Sequence, residues 1–176
     1  MKGIFSVAIL ALIGYLIVPK TIFFYRKPLF RPKLGGLNNY DVVLKVNETY
    51  HLYILGLNKR ISYQSTDIKV ATVNLNGSIR AWRLGTTYIN VRYDDKQLRC
   101  RVRVIDLNKD KVKLNVGDSK RIYVKNAFLG VKYQSSNSKV VKVNRMGKVK
   151  AIGKGTATIT VTYKGKKLKC KVVVSS

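Results

Sequence analysis

Apolar and polar residues alternate with a period of two through most of the chain after residue 36. The clearest runs are Val42, Leu44, Val46 and Leu98, Cys100, Val102, Val104. Successive side chains of a β-strand point to opposite faces of a sheet, so this period predicts strands with one buried face. No window here sustains a helical period, and polar turns separate the runs. The pattern predicts about seven short strands in residues 37–106 and again in residues 107–176, as in a β-sandwich.

The strand pattern returns at an offset of 70 residues. The stretch from Tyr63 to Val104 recurs without a gap as Tyr133 to Val174. Identical pairs include Tyr63 with Tyr133, Gln64 with Gln134, Gly77 with Gly147, Gly85 with Gly155, and Cys100 with Cys170. A fixed period indicates tandem copies of one structural unit. We therefore divide the chain into residues 1–36, a first repeat (residues 37–106) and a second repeat (residues 107–176), and predict that each repeat is one domain.

Residues 1–25 are predicted to be a hydrophobic membrane anchor or signal. Residues 3–18 carry no charge, and as a helix they would extend about 24 Å at about 1.5 Å per residue. Pro19 and Lys20 interrupt the run and residues 21–25 resume it, so residues 3–25 can span a bilayer if Lys20 reaches a headgroup. The side chains assigned to the membrane are Ile4, Phe5, Val7, Ile9, Leu10, Leu12, Ile13, Leu16, Ile17 and Val18. The predicted fold class is all-β: two sandwiches preceded by one hydrophobic helix.

Two questions about this segment stay open in the sequence. A cleaved secretory signal shares the basic start and apolar centre, but no cleavage pattern of small residues follows Val18, which favours an uncleaved anchor. Residues 20–33 carry five basic side chains, which by the positive-inside rule would keep the repeats in the cytoplasm. The same charges can instead lie on anionic headgroups. Prolines and glycines make residues 26–36 a short, semi-rigid linker.

The chain is strongly basic, with a formal net charge of +27. The excess is uneven, because the first repeat carries 11 basic and 6 acidic residues whereas the second carries 18 and 2. Such a positive electrostatic field attracts polyanions in general, and it does not indicate which polyanion is bound.

Nine lysines of the second repeat are candidates for binding a polyanion. They are Lys139, Lys142, Lys148, Lys150, Lys164, Lys166, Lys167, Lys169 and Lys171. Alternation turns Lys169 and Lys171 away from the apolar side chains between and beside them, which predicts a sheet face covered by lysines. The alternative is a solvated face that blocks edge-to-edge pairing. A binding face would hold teichoic acid, anionic lipid, nucleic acid or an acidic protein through point charges, and salt would weaken it steeply.

Enzymatic chemistry is disfavoured by the residues available. His51 is the only histidine, so one chain cannot form a catalytic triad or a metal site based on histidines, and the carboxylates are scattered. Cys100 and Cys170 occupy equivalent inward positions and are predicted to be free, buried thiols. Trp82 aligns with Ile152 and is predicted to lie in the core. The tyrosines that recur in both repeats are assigned to packing of the sandwich, and this assignment disfavours sequence-specific nucleic-acid binding. We predict no cofactor, no metal and no enzymatic activity.

Both repeats resemble the bacterial immunoglobulin-like domain, group 2. The second repeat carries the resemblance in residues 133–137, 140–151, 155–161 and 170–172, and the first in residues 63–67, 70–73, 77 and 85–86. The first repeat departs from the second at Trp82, Arg83 and Leu84. The resemblance implies two tandem sandwiches of immunoglobulin type, a fold common on extracytoplasmic bacterial proteins and in phage virions. It also implies spacer or binding modules and carries no shared catalytic set.

Together these features predict a non-enzymatic, membrane-anchored surface module for structure or adhesion, with both domains outside the cytoplasm. The alternative is a structural subunit of a large assembly, such as a phage virion or a surface appendage, whose basic repeat binds an acidic partner or polyanion. A sugar-binding module is a third hypothesis, and it requires an exposed aromatic platform.

Overall fold

The structure, a computed structural model, describes residues 34–56, 60–127 and 129–176. Every regular element in these residues is a β-strand. Within the same ranges, no helix has the length and apolar content needed to cross a membrane. The predicted N-terminal helix, its membrane-facing side chains and most of the linker lie outside the described residues, so their assignment stays a prediction.

The first repeat forms two sheets. Its strands are β1 (Asp41–Lys45), β2 (Thr49–His51), β3 (Ser62–Ser65), β4 (Ala71–Val73), β5 (Ser78–Ala81), β6 (Gly85–Tyr93) and β7 (Lys96–Leu107). A four-stranded sheet has the order β1-β7-β6-β3, and a three-stranded sheet has the order β2-β5-β4. β1 is parallel to β7, whereas the other pairs are antiparallel.

The second repeat has the same arrangement. Its strands are β8 (Lys111–Asn115), β9 (Ser119–Arg121), β10 (Val124–Lys125), β11 (Val131–Ser135), β12 (Val141–Val143), β13 (Lys148–Ala151), β14 (Gly155–Tyr163) and β15 (Lys166–Ser175). The four-stranded sheet runs β11-β14-β15-β8, and the three-stranded sheet runs β12-β13-β9. The predicted period of two is confirmed in the described residues, with alternating burial along β8, β13, β14 and most of β15.

Each repeat has its own hydrophobic core. One cluster of buried side chains extends from Leu37 to Val104 and the other from Ile105 to Val174. Ile89 and Ile159, at equivalent positions, are both fully buried. Burying one such side chain contributes about 1.5–3 kcal/mol, so each core is held by many contributions of this size.

A single strand connects the two cores without a linker. The adjacent residues Val104 and Ile105 are both fully buried, yet they belong to different cores. Both lie on β7, whose last two residues, Asp106 and Leu107, pair with β10 of the second repeat. A backbone held by ladder hydrogen bonds in both repeats cannot bend freely at the junction.

Glycine is required at one turn of each repeat. Gly77 and Gly147 connect the β4–β5 and β12–β13 hairpins with φ values of 78° and 76°. A Cβ at Gly77 would lie 2.1 Å from the carbonyl oxygen of Leu52, and one at Gly147 would lie 2.1 Å from that of Ile122. Both the left-handed conformation and the close approach of the backbone exclude a side chain here.

Candidate polyanion-binding surface

The structure does not bring the nine candidate lysines together on one face. Three lie on the three-stranded sheet, three on the four-stranded sheet, two at the contact with the first repeat, and Lys139 lies in the segment before β12. We call the outward side of β12-β13-β9 the narrow face and the outward side of β11-β14-β15-β8 the broad face. Whether either face binds a polyanion stays a prediction.

The narrow face carries like charges directly opposite one another. Lys142 of β12 pairs in register with Lys150 of β13, and Lys148 of β13 with Arg121 of β9. Such pairs destabilise a sheet because no opposite charge lies between them. Three shallow depressions of about 290, 350 and 270 Å³ adjoin these strands; the first two share Arg121, and the first and third share Lys148.

The broad face carries more charge and a row of hydroxyl groups. Its exposed lysines are Lys111 and Lys113 on β8, Lys132 on β11, and Lys167, Lys169 and Lys171 on β15. Threonines occupy the outward positions of β14, at Thr156, Thr158, Thr160 and Thr162, between the strand β15 with its three lysines and the strand β11 with Lys132. Lys111, Lys113 and Lys132 were not among the nine predicted lysines, although each alternates with a buried or half-buried apolar residue.

No carboxylate neutralises either face within the described residues. Asp110 lies 3.6 Å from Lys45 of the first repeat, and Asp118 accepts a hydrogen bond from the amide of Asn115 at 2.9 Å. These are the two acidic residues of the second repeat, so both are engaged away from the exposed lysines. The charge of both faces is therefore directed to solvent.

Lys164 and Lys166 belong to a contact between the repeats, which we call the joint. Lys164 Nζ lies 2.8 Å from Asp41 Oδ2, and Lys166 pairs with Glu48. Both lysines lie on the β14–β15 hairpin of the second repeat, whereas Asp41 and Glu48 lie in and just after β1 of the first. These two lysines therefore have partners within the chain and do not extend the exposed basic surface.

Asp41 is the centre of the joint. Arg101 Nη2 lies 3.0 Å from its Oδ2 atom, and Arg103 Nη1 lies 3.0 Å from Oδ1 but outside hydrogen-bonding geometry. Burial raises the pKa of the Asp41 carboxyl, but hydrogen bonds from Lys164 and Arg101 and the charge of Arg103 outweigh burial, so this pKa lies below its ordinary value. Asp41 is therefore held in its charged form at neutral pH.

Other contacts close the joint around these charges. The Asn126 side-chain amide donates hydrogen bonds to the carbonyl oxygens of Gly85 and Val104, at 2.7 and 3.0 Å. Lys45 lies 3.6 Å from Asp106 and at the same distance from Asp110.

The joint was not predicted from the sequence. The available signal was charge reversal at the offset of 70, because Asp41 aligns with Lys111 and Asp94 aligns with Lys164.

The prediction that Trp82 lies in the core is wrong. Its side chain is 43% exposed, and the Arg80 guanidinium packs over the ring at 4.4 Å from the centroid. Its indole nitrogen donates a hydrogen bond to Thr72. Ala81 takes the inward position instead, because Trp82 follows it on the opposite side of the strand. Ile152, the counterpart of Trp82, is also exposed.

The two cysteines, His51 and the two tyrosines Tyr63 and Tyr133 are placed as the sequence predicted. Cys100 and Cys170 are free and buried, and burial raises the pKa of their thiols to about 12 and about 11. His51 is exposed and stacks on Tyr53 at 5.8 Å between ring centroids. Tyr63 and Tyr133 pack against the two cores. No group of three or more metal-ligating side chains converges in the part of the chain that the structure describes.

Comparison with known proteins gives one family match and several distant structural neighbours. No curated protein matches the chain. Among solved structures, domains 4 and 5 of the S-layer protein SbsC are 20% identical over 71% of this chain and 82% of that one, with a TM-score of 0.36. A C-terminal 282-residue fragment of intimin, in complex with the intimin-binding domain of its translocated receptor, is 12% identical over 80% and 62%, with a TM-score of 0.44.

A longer SbsC fragment is 23% identical over 66% of this chain, which spans only 20% of that fragment, with a TM-score of 0.35. Residues 101–173 match the sequence profile of the Bacterial Ig-like domain (group 2). The expected immunoglobulin-like fold is thereby confirmed for this part of the chain. Residues 101–173 are a bacterial Ig-like domain of group 2.

Proposed function

We propose that this chain is a non-enzymatic structural and adhesion module of a bacterial surface, in which two tandem Ig-like sandwiches stand on an N-terminal membrane anchor. The joint is the observation that supports this best. A continuous strand, two ion pairs from the β14–β15 hairpin and the Asn126 hydrogen bonds hold the repeats in one arrangement. Two domains held in a fixed arrangement can present a binding surface at a set distance from the membrane, and catalysis does not require such an arrangement.

The path of the chain supports a stack directed away from the anchor. The Tyr93 hydroxyl donates a hydrogen bond to the Gly35 carbonyl oxygen at 2.6 Å, so the chain enters the first repeat beside the β6–β7 hairpin. β7 begins at that hairpin, and Ile105 of the second core lies nine residues after its first residue, a distance of about 30 Å at about 3.3 Å per residue. The basic repeat would then lie at the end farthest from the anchor.

The partner that fits the second repeat is a polyanion or an acidic protein. Its exposed lysines supply point charges and lack the planar, bidentate geometry of an arginine guanidinium group. Such charges bind anions without recognising a base sequence. Sequence-specific nucleic-acid binding is not part of this proposal, because the outward positions of the broad face hold no aromatic side chain on which bases could stack.

A large assembly is the second candidate function, and one observation favours it. Val116 and Ile152 are 49% and 39% exposed, and the hydrogen bond from Gly117 to Ala151 places their segments together. This apolar pair lies beyond the end of β15, at the opposite end of the second repeat from the joint. In a virion or surface appendage the pair would pack against a neighbouring subunit.

Protease accessibility in cells that express the full chain tests the proposal. Under the surface hypothesis, protease added to intact cells removes both repeats, and lysis with detergent changes nothing further. Cleavage that occurs only after lysis would place the repeats inside and refute it. Discrete oligomers of the full chain in detergent, dispersed by Val116→Lys, would instead support the assembly hypothesis.

A further inference from the structure

Within the described residues, the charges of the broad face have none of the internal partners that their counterparts in the first repeat have. In the first repeat, Asp41 forms ion pairs with Arg101 and Arg103, and the Arg99 guanidinium packs 3.7 Å from the centroid of the Tyr88 ring. In the second repeat, Lys111 stands where Asp41 does, and Thr158 stands where Tyr88 does. The same scaffold thus carries a partly compensated face in one copy and an uncompensated face in the other.

The uncompensated charges are spaced regularly. Lys167, Lys169 and Lys171 follow one another on one side of β15, about 6.6 Å apart at about 3.3 Å per residue. Lys171 lies opposite Lys111 of β8 in the parallel register, so like charges meet directly across the two strands. This arrangement costs stability in the free protein and becomes favourable when a chain of negative charges lies between the lysines.

The threonines of β14 supply a second kind of donor. Thr158 lies beside Lys171, Thr160 beside Lys169 and Thr162 beside Lys167. Hydroxyl and ammonium groups are both donors to phosphate oxygens. Each step along the face therefore offers one hydroxyl and one ammonium group.

We propose that the broad face binds a linear phosphodiester polymer that carries no bases. This deepens the proposed function, on which it rests, by assigning one face and one ligand chemistry. The regular repeat of donors matches a periodic polyanion better than the irregular carboxylates of an acidic protein. The lack of outward aromatic rings leaves nothing that would favour a nucleic acid over a polymer without bases.

Two matched variants of the full chain, purified in detergent, test the assignment. The first replaces Lys167, Lys169 and Lys171 by Gln, and the second replaces Lys142, Lys148 and Lys150 by Gln. Each variant removes three exposed charges, so the change in the overall field is the same. The probes are poly(glycerol phosphate), single-stranded DNA of equal charge and polyglutamate, with affinities measured between about 50 and 200 mM salt. Thermal unfolding of each variant checks that the fold is retained.

The broad-face variant is expected to bind poly(glycerol phosphate) roughly 100- to 500-fold more weakly at about 0.1 M salt, because each phosphate contact contributes a salt slope of about 0.7–0.9. Its salt slope falls by about 2 to 3, whereas the narrow-face variant stays within about threefold of the unaltered chain. Thr158→Val with Thr160→Val is expected to weaken binding severalfold without changing the slope, because a hydroxyl releases no counterion.

Each contrary outcome has a separate meaning. Equal losses in both lysine variants, or a loss only in the narrow-face variant, would refute the broad-face assignment while leaving polyanion binding intact. Tighter binding of DNA or polyglutamate than of poly(glycerol phosphate) would refute the ligand class. If none of the three polymers binds the unaltered chain at about 50 mM salt, the polyanion-binding part of the proposed function itself fails.

Discussion

Replacing Asp41 by Asn is expected to loosen the joint and lower the stability of the chain. The substitution keeps the shape of the side chain but removes the charge that Lys164, Arg101 and Arg103 share. Partly exposed ion pairs contribute about 0.2–1 kcal/mol each, and the Arg103 side chain, only 12% exposed, loses its partner. We expect the free energy of unfolding to fall by about 1.5 kcal/mol, with about 0.5 kcal/mol from the Lys164 pair across the joint.

The assay is thermal unfolding of the full chain in detergent, followed by near-ultraviolet circular dichroism. A loss of about 1.5 kcal/mol corresponds to a fall in Tm of about 3–6 °C for a chain of this size. Asp95→Asn is the control, because it removes the same charge from the β6–β7 turn, where Asp95 is exposed. A double-mutant cycle with Lys164→Met isolates the pair across the joint. A coupling energy of zero in that cycle would refute the role assigned to this pair.

The pH dependence of the Asp41→Asn effect follows from the lowered pKa of Asp41. A carboxyl whose pKa is lower in the folded chain stabilises the fold above its unfolded pKa of about 3.9, and this contribution disappears as pH falls through the folded value. The difference in Tm between the unaltered chain and Asp41→Asn should therefore be constant at neutral pH and shrink below about pH 4. A difference that grows on acidification would contradict the direction of the shift.

Two further predictions concern the cores and turns. Gly147→Ala should destabilise the chain severely in urea unfolding, since its Cβ would lie 2.1 Å from the Ile122 carbonyl oxygen. Gly165→Ala, also at positive φ but with open space around it, should cost only about 1 kcal/mol. Equal losses of stability in the two variants would contradict the role assigned to the close backbone contact at Gly147. Burial raises the thiol pKa values of Cys100 and Cys170 to about 12 and about 11, so both should resist iodoacetamide at pH 8 in the folded chain. Both should react in denaturant. Rapid labelling of the native chain would contradict this prediction, because it would show that a thiol is accessible.

The strands and cores were predictable because burial follows the side-chain period of two. Cys100, Val102 and Val104 were assigned inward from alternation alone, and all three are fully buried. The error at Trp82 came from setting this rule aside in favour of its alignment with Ile152. Since Ala81 is inward, alternation places Trp82 outward, and the structure agrees with the alternation.

The division of the lysines could not be predicted to the same degree. Alternation gives the facing of Lys150 and Lys169 but does not say that their strands belong to different sheets. Lys164 and Lys166 lie at a hairpin turn, and their partners depend on how one repeat docks on the other. Contacts across 118 and 123 residues of sequence leave no local pattern, and charge reversal at equivalent positions gives a signal only for the contact between Asp41 and Lys164.

The parallel pairing of β1 with β7 determines how the stack would respond to a pulling force. Tension applied at the start of β1 and beyond the end of β7 acts in opposite directions along two neighbouring strands, which pair over five residues from Asp41 with Arg101 to Lys45 with Ile105. The load then shears all these hydrogen bonds at once instead of opening them one after another. β8 and β15 repeat this geometry over five pairs in the second repeat. In the proposed surface tether, this geometry would resist the drag of flowing liquid through the direction of loading, independently of the free energy of unfolding.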